Sequence, residues 1–283
     1  MEPLAVLGAA AILGGLGLAF GVLIAVASRR MRVWEDPRID GVSDLLPGAN
    51  CGACGYPGCR AFAEAAVKGE TQPAVCTVMD AGMREEVAAY LGVDAGKADR
   101  RVARLLCAGG CDVAPQRAGY RGVGSCAAAA AVGGGAKACT WGCLGLADCA
   151  VACDFDAIEM NGAGLPVVIP EKCTACGDCV DACPRGLFTL MPERARLIVQ
   201  CRSLLEGEDA TAVCAVACNA CGRCAADAPG LIRMERGLAV VDYERMELQD
   251  PAALARCPTG ALAWVEGAQF GAAEKVAPPV AVG

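Results

Sequence analysis

Cysteine is the residue type with the most chemistry to offer in this chain: 21 of 283 positions carry it, and none carries histidine. Cys173, Cys176, Cys179 and Cys183, followed by Pro184, spell C-x2-C-x2-C-x3-C-P. Two-residue steps let a loop wrap a cubane of iron and sulfide and offer it three thiolates, while the fourth cysteine reaches a second cluster. Zinc is the rival occupant of any CxxC, but a structural zinc site wants two CxxC pairs or added histidine. The spacing therefore predicts iron–sulfur ligation.

A second run is needed for a two-cluster ferredoxin, and KACTWGCLGLADCAVACDFDAI supplies it in stretched form, Cys139-x3-Cys143-x5-Cys149-x3-Cys153. Leu146 stands where a middle cysteine is usual, and Asp154 where a proline is usual. The expected allocation crosses between runs. Cys173, Cys176, Cys179 and Cys153 hold one cluster; Cys143, Cys149, Cys183 and Cys139 hold the other. Between the runs, Asn161-Gly162 predicts a hairpin turn and 165–169 a strand.

Upstream, Cys51, Cys54 and Cys59 sit in a Gly-rich loop, a helix with Phe62, Ala66 and Val67 on one face follows, and Cys76 returns after Pro73. These four form one complete [4Fe–4S] set, with a zinc knuckle as the alternative. Downstream, CAVACNACGRCAADAPG aligns Cys214, Cys218 and Cys224 with Cys139, Cys143 and Cys149. Its partner run keeps Cys257-Pro258 but has Glu247, Asp250 and Ala253 at the other ligand positions, and Ala228 replaces a fourth cysteine. All four losses fall on one site of the crossed arrangement. The surviving set is Cys218, Cys221, Cys224 and Cys257, so a two-cluster unit trimmed to one is expected.

Sixteen cysteines thus fall into four sites. Cys107, Cys111 and Cys126 with Cys201 or Cys214 could make a fifth, or could be buried thiols acting as small hydrophobes.

Other features say what must position these thiols. Aromatic residues are 4% of the chain, which gives a thin core and casts the clusters as folding staples. The net charge of -7 argues against a nucleic-acid partner. From Pro3 to Ser28 no residue is charged, a run long enough at ~1.5 Å per residue to span ~30 Å of hydrocarbon. A signal peptide would need a basic stretch before that run, yet Arg29, Arg30 and Arg32 follow it. The positive-inside rule then places the rest of the chain in the cytoplasm, at the inner membrane. Gly17 and Gly21 form a small-xxx-small pair that suits a partner helix or ordinary membrane-helix composition. The basic run Lys97, Arg100, Arg101 and Arg104 reads as a solvated helix face, with steering of an acidic partner as the alternative.

The expected architecture is α+β: a transmembrane anchor over 1–29, a small helical [4Fe–4S] domain over 30–92 and a Cys/Gly-rich connecting segment over 93–138. A two-cluster ferredoxin-like domain follows over 139–200, a degenerate single-cluster one over 201–265, and a flexible tail over 266–283. No nucleotide-binding glycine motif and no histidine base is present, so no autonomous catalytic site is expected.

The segment CGACGYPGCRAFAEAAVKGE closely resembles the opening module of the RnfB family. That family is the B component of the Rnf complex, a membrane-bound, ion-translocating ferredoxin:NAD oxidoreductase. The preceding apolar helix fits that family, and the likeness runs to about residue 265. The stretch ARLLCAGGCDVAPQRAGYRGVGSCAAAAAVGGG is similar to the long form of the family. The resemblance implies an electron-transfer subunit that accepts electrons from, or gives them to, soluble ferredoxin. It implies relay through several [4Fe–4S] clusters, work alongside the other Rnf subunits, and coupling to Na⁺ or H⁺ movement. From a different class, a membrane-anchored iron–sulfur sensor or structural protein needs no partner enzyme.

Overall fold

The structure, a computed structural model, describes residues 3–31, 34–97 and 99–271. Helix α1 (Pro3–Arg30) is apolar along its length and ends on Arg29 and Arg30. Its stretch Ala11–Arg30 is long and apolar enough to cross a membrane, and none of it is buried against the rest of the chain.

A small helical unit follows: α2 (Arg38–Leu45), α3 (Cys59–Lys68) and α4 (Ala81–Leu91). Helix α4 starts where the Asp80 carboxylate accepts the Met83 amide at 2.8 Å, and both α3 and α4 stop at a left-handed glycine, Gly69 and Gly92. Phe62, Ala63 and Ala66 of α3 pack with Val42, Val87 and Met79. Val67 is half-buried at the edge of this cluster, so the apolar face expected of α3 is the one that packs.

The remainder carries one strand plan twice. In the first unit β1 (Arg101–Leu105), α5 (Cys126–Ala131), α6 (Asp148–Val151), β2 (Ile158–Met160), β3 (Pro166–Val168), α7 (Asp178–Ala182) and β4 (Phe188–Pro192) follow in order. Strands β2 and β3 form an antiparallel hairpin while β1 pairs with β4, Arg101 opposite Pro192 and Leu105 opposite Phe188. The second unit has β5 (Leu197–Val199), α8 (Gly207–Val213), α9 (Arg223–Asp227), β6 (Ile232–Glu235), β7 (Leu238–Val241) and β8 (Leu262–Trp264). There β6 and β7 form the hairpin and β5 pairs with β8.

This pairing redraws several expectations. The sequence assigns 101–105 to a connecting segment, yet they are the outer strand of the first unit, and 197–199 belong to the second unit. The basic run lies on and just before β1 rather than on a helix. Arg100 donates to the Pro170 carbonyl at 2.6 Å and Arg101 to the Leu190 carbonyl at 2.6 Å, while Arg104 is buried. These arginines are staples between strands and loops. Residues 266–271 fold back on β1: the Gln269 amide brackets the Leu105 backbone, accepting its N–H at 2.9 Å and donating to its carbonyl at 2.6 Å. The rest of the expected tail lies outside the described residues. In the β2–β3 hairpin the turn needs four residues. The Asn161 side chain accepts the amides of Ala163 and Leu165, and Gly164, not Gly162, takes the positive φ, +72°.

In the second unit the corner that lacks cysteines is filled. Ala253 is buried and Ala228 packs into the same cluster, while the Asp250 carboxylate caps a 3-10 turn by accepting the Ala252 amide at 2.8 Å.

Candidate metal centres

The cysteines gather in quartets. Cys51, Cys54, Cys59 and Cys76 surround a small cavity of about 20 Å³ that Phe62 also lines. Its loop is fixed by Asn50, whose side-chain oxygen accepts the Cys59 amide at 2.9 Å where α3 begins. Cys153, Cys173, Cys176 and Cys179 surround a second cavity of about 20 Å³. Amides point at its sulfurs, Ala157 at Cys153 (3.4 Å) and Ala103 of β1 at Cys173 (3.5 Å).

A third cavity, again about 20 Å³, is lined by Cys107, Cys139, Cys201 and Cys214. Its thiols come from four places: the segment after β1, the loop before α6, the residues after β5, and the end of α8. Gly109 is required here, because a Cβ at that position would sit 3.2 Å from the Cys214 sulfur and 3.5 Å from that of Cys107. The Cys143 amide donates to the Cys107 sulfur at 3.4 Å, and the Ser203 amide to the Cys201 sulfur at 3.4 Å.

Two further groups of thiols lie within electrostatic reach of one another and are read as quartets. The Cys149 thiol is pushed up first by burial, then by the neighbouring Cys143, Cys126 and Cys183 and, after these, by Cys179 of the adjoining quartet. Cys126 is held there by Asp148, whose carboxylate accepts the Cys126 and Ala127 amides at 2.8 and 2.9 Å and the Ser125 hydroxyl at 2.9 Å. The Cys224 thiol is likewise raised by burial and then by Cys218, Cys221 and Cys257. Burial would raise Cys257 too, but the amides of Leu262, Thr259 and Ala261 and the Thr259 hydroxyl bring it below its ordinary value.

In the structure three of the expected sets converge, and the rest regroup. Cys139 lies with Cys107, Cys201 and Cys214, and Cys126 takes the place beside Cys143, Cys149 and Cys183 that the sequence allots to Cys139. Cys107, Cys111 and Cys126 do not converge, and Cys111 is exposed with its sulfur directed at the Gly162 carbonyl. The signal for Cys126 lies in Ser125-Cys126 ahead of five alanines, a helix start with its cap.

These surroundings fit an anionic polynuclear cluster better than a single ion. Among the described residues no three Cys, Asp or Glu side chains converge tightly enough to hold one metal ion, yet three quartets wall cavities of nearly equal size. The buried charged side chains among the described residues, Arg104 and Lys137, are both cations. Neither has a carboxylate within 4.0 Å among those residues, and a buried cation needs a negative partner. The charged groups acting on Arg104 are Glu193 and then Cys173, while Lys137 acts on Cys139, Cys143 and Cys214.

The quartets stand in series. A wide cleft lined by both Cys76 and Cys173 separates the first two. Cys179 and Cys149 are close enough to raise one thiol's proton affinity, Cys143 bonds to Cys107, and the Cys218 amide helps offset the burial that holds Cys201 up at about 11.

Comparison with known proteins agrees with this chemistry. The family described as "Putative Fe-S cluster" matches residues 46–78, and that of the 4Fe-4S binding domain matches residues 166–189. The chain is 46% identical over 207 residues to the B component of the Na(+)-translocating ferredoxin:NAD(+) oxidoreductase complex of Acetobacterium woodii, covering 73% of this chain and 62% of that one. It is 38% identical to the B component of the ion-translocating oxidoreductase complex of Methanosarcina acetivorans, over 89% of this chain and 96% of the relative. Identity is 39% to the B component of the proton-translocating ferredoxin:NAD(+) oxidoreductase complex of Clostridium ljungdahlii, over 87% and 88%. With two relatives matched over most of both lengths and cysteine quartets where the iron–sulfur families match, the chain belongs to the RnfB family, the B components of ion-translocating oxidoreductase complexes.

Proposed function

We propose that this chain is the electron-transfer subunit of a membrane-bound ferredoxin:NAD oxidoreductase complex, with five cysteine quartets each holding one [4Fe–4S] cluster. Such clusters supply one-electron transfer, with potentials tuned by hydrogen bonds to sulfur, local charge and solvent exposure. The observation that carries the reading is the succession of cysteine quartets along the chain, two of them in direct contact through the Cys143 amide and the Cys107 sulfur. A structural or sensing protein has no need of such a succession.

The chain's own groups hold and tune. The Ala103, Ala157, Cys143 and Ser203 amides stabilise thiolates at 3.4–3.5 Å. Burial protects Cys143, Cys149, Cys179 and Cys224 from water and oxidant. The two units with the repeated strand plan are read as tandem ferredoxin-like modules, the second with one of its two sites closed by Ala228 and Ala253. The quartet of Cys107, Cys139, Cys201 and Cys214 draws two thiols from each module, so it joins the two. Helix α1 anchors the chain in the membrane, with Arg29 and Arg30 on the cytoplasmic side beside the cysteine-bearing units. Soluble ferredoxin and the other complex subunits are the partners at the two ends of the series.

Anaerobically purified chain should contain about 20 Fe, four for each quartet, and be reduced reversibly by ferredoxin. About 16 Fe would remove the junction quartet from this reading. Bound zinc in place of iron, or clusters that ferredoxin does not reduce, would remove the electron-transfer role.

A further inference from the structure

Lys137 is 4% exposed, a rare position for a lysine, which is almost never fully buried unless paired. Its ammonium donates to the Gly109 carbonyl, and its stem packs on Gly142, where an added Cβ would lie 3.0 Å from the lysine Cδ. One carbonyl does not balance a buried charge. Both contacts lead to thiols: Gly109 backs onto Cys107 and Cys214, and Gly142 separates Cys139 from Cys143. The side chain is thus wedged between two quartets, its ammonium at the Gly109 backbone beside Cys107 and Cys214 and its stem at Gly142 between Cys139 and Cys143. Its backbone is fixed as well, in an isolated bridge with Gln116.

We propose that Lys137 is the shared counter-cation of the two quartets that meet at Cys107 and Cys143, raising the reduction potentials of the groups they hold. The inference rests on those quartets being cluster sites. The physical ground is that each added electron makes a cluster more negative, and a fixed positive charge in a low-dielectric interior favours the more negative state. The two quartets touch where the Cys143 amide meets the Cys107 sulfur, so an electron on either repels an electron on the other. The two sites are therefore coupled, and neither titrates independently.

The test is EPR-monitored redox titration of the full-length chain, with iron counted in parallel, for Lys137→Gln and Lys137→Arg. Gln retains a donor for the Gly109 carbonyl without the charge, and Arg retains the charge. The expected result is unchanged iron in both, two of the cluster signals moved to lower potential in Lys137→Gln, and neither moved in Lys137→Arg. Iron lost from Lys137→Gln but kept by Lys137→Arg would express the same charge requirement at assembly. Equal shifts in both variants, equal iron loss in both, or potentials unmoved in Lys137→Gln would each overturn the proposal. A wild-type count of about 16 Fe would fail the five-quartet reading itself, before any variant is compared.

Discussion

The Cys143 amide donates to the Cys107 sulfur at 3.4 Å, although the two thiols belong to different quartets. One covalent residue thus ends in a thiol for one quartet and begins with a hydrogen bond to its neighbour. The contact joins a loop before α6 to the segment after β1, so it exists only when the first unit is folded.

Removing Cys139 and removing Cys126 should therefore have separable effects. Each Ala variant is expected to lose about 4 Fe and one EPR signal, and the double variant about 8 Fe and two signals. If both single variants lose the same signal, Cys139 and Cys126 share a quartet and the regrouping is wrong.

Cys111 should be dispensable for metal. It is exposed and outside every quartet, so Cys111→Ser should keep all iron and change stability by no more than about 0.5 kcal/mol. Iron loss in that variant would place Cys111 among the ligands.

Asp148 organises one quartet through backbone and hydroxyl contacts. Asp148→Ala should cost about 1–2 kcal/mol, as lost helix caps do. It should also speed chelator removal of iron from the quartet containing Cys126, while the helical unit around Cys51 releases iron at the wild-type rate. Uniform acceleration at all sites would mean a general loosening instead.

In the metal-free chain burial holds the Cys143 and Cys179 thiols up at about 12 and Cys201 at about 11, against 9.0 for an ordinary thiol. A proton bound more tightly by the folded chain than by the unfolded one stabilises the fold. That contribution is complete below pH 9 and is lost as pH rises through 11 to 12. Chelator-stripped protein should show a lower denaturant midpoint at about pH 10.5 than at about pH 8. The iron-loaded chain should behave oppositely and shed iron on acidification, because its ligands must be thiolates. A midpoint that does not fall with alkali contradicts the burial of these thiols.

Introducing Ala228→Cys should add no iron. Its partner positions are Glu247, Asp250 and the buried Ala253, and the 3-10 turn capped by Asp250 occupies that corner.

Local spacing made much of this legible. The quartets of Cys51, Cys153 and Cys257 follow from runs whose members lie close in sequence or from an internal repeat, and the loss of the fourth site follows from Ala228 and Ala253. The quartet at Cys107 was legible only in part, as Cys107 with Cys201 or Cys214, because its members span residues 107 to 214 and meet only after β1 pairs with β4 and β5 with β8. Cys139 is misleading for the same reason: it continues a run by spacing, but the Cys139–Gly142 turn sends its thiol to the other side. The basic residues before and on β1 resemble a helix face only until Arg104 is seen buried beneath Gly267.

The alanine-filled corner of the second module also sets where the chain can trade with its surroundings. A repeat with both sites intact would carry the series onward, but with Ala228 and Ala253 packed together the last quartet has a blind side within the fold. Of that quartet, the side at Cys221 is the one open to solvent.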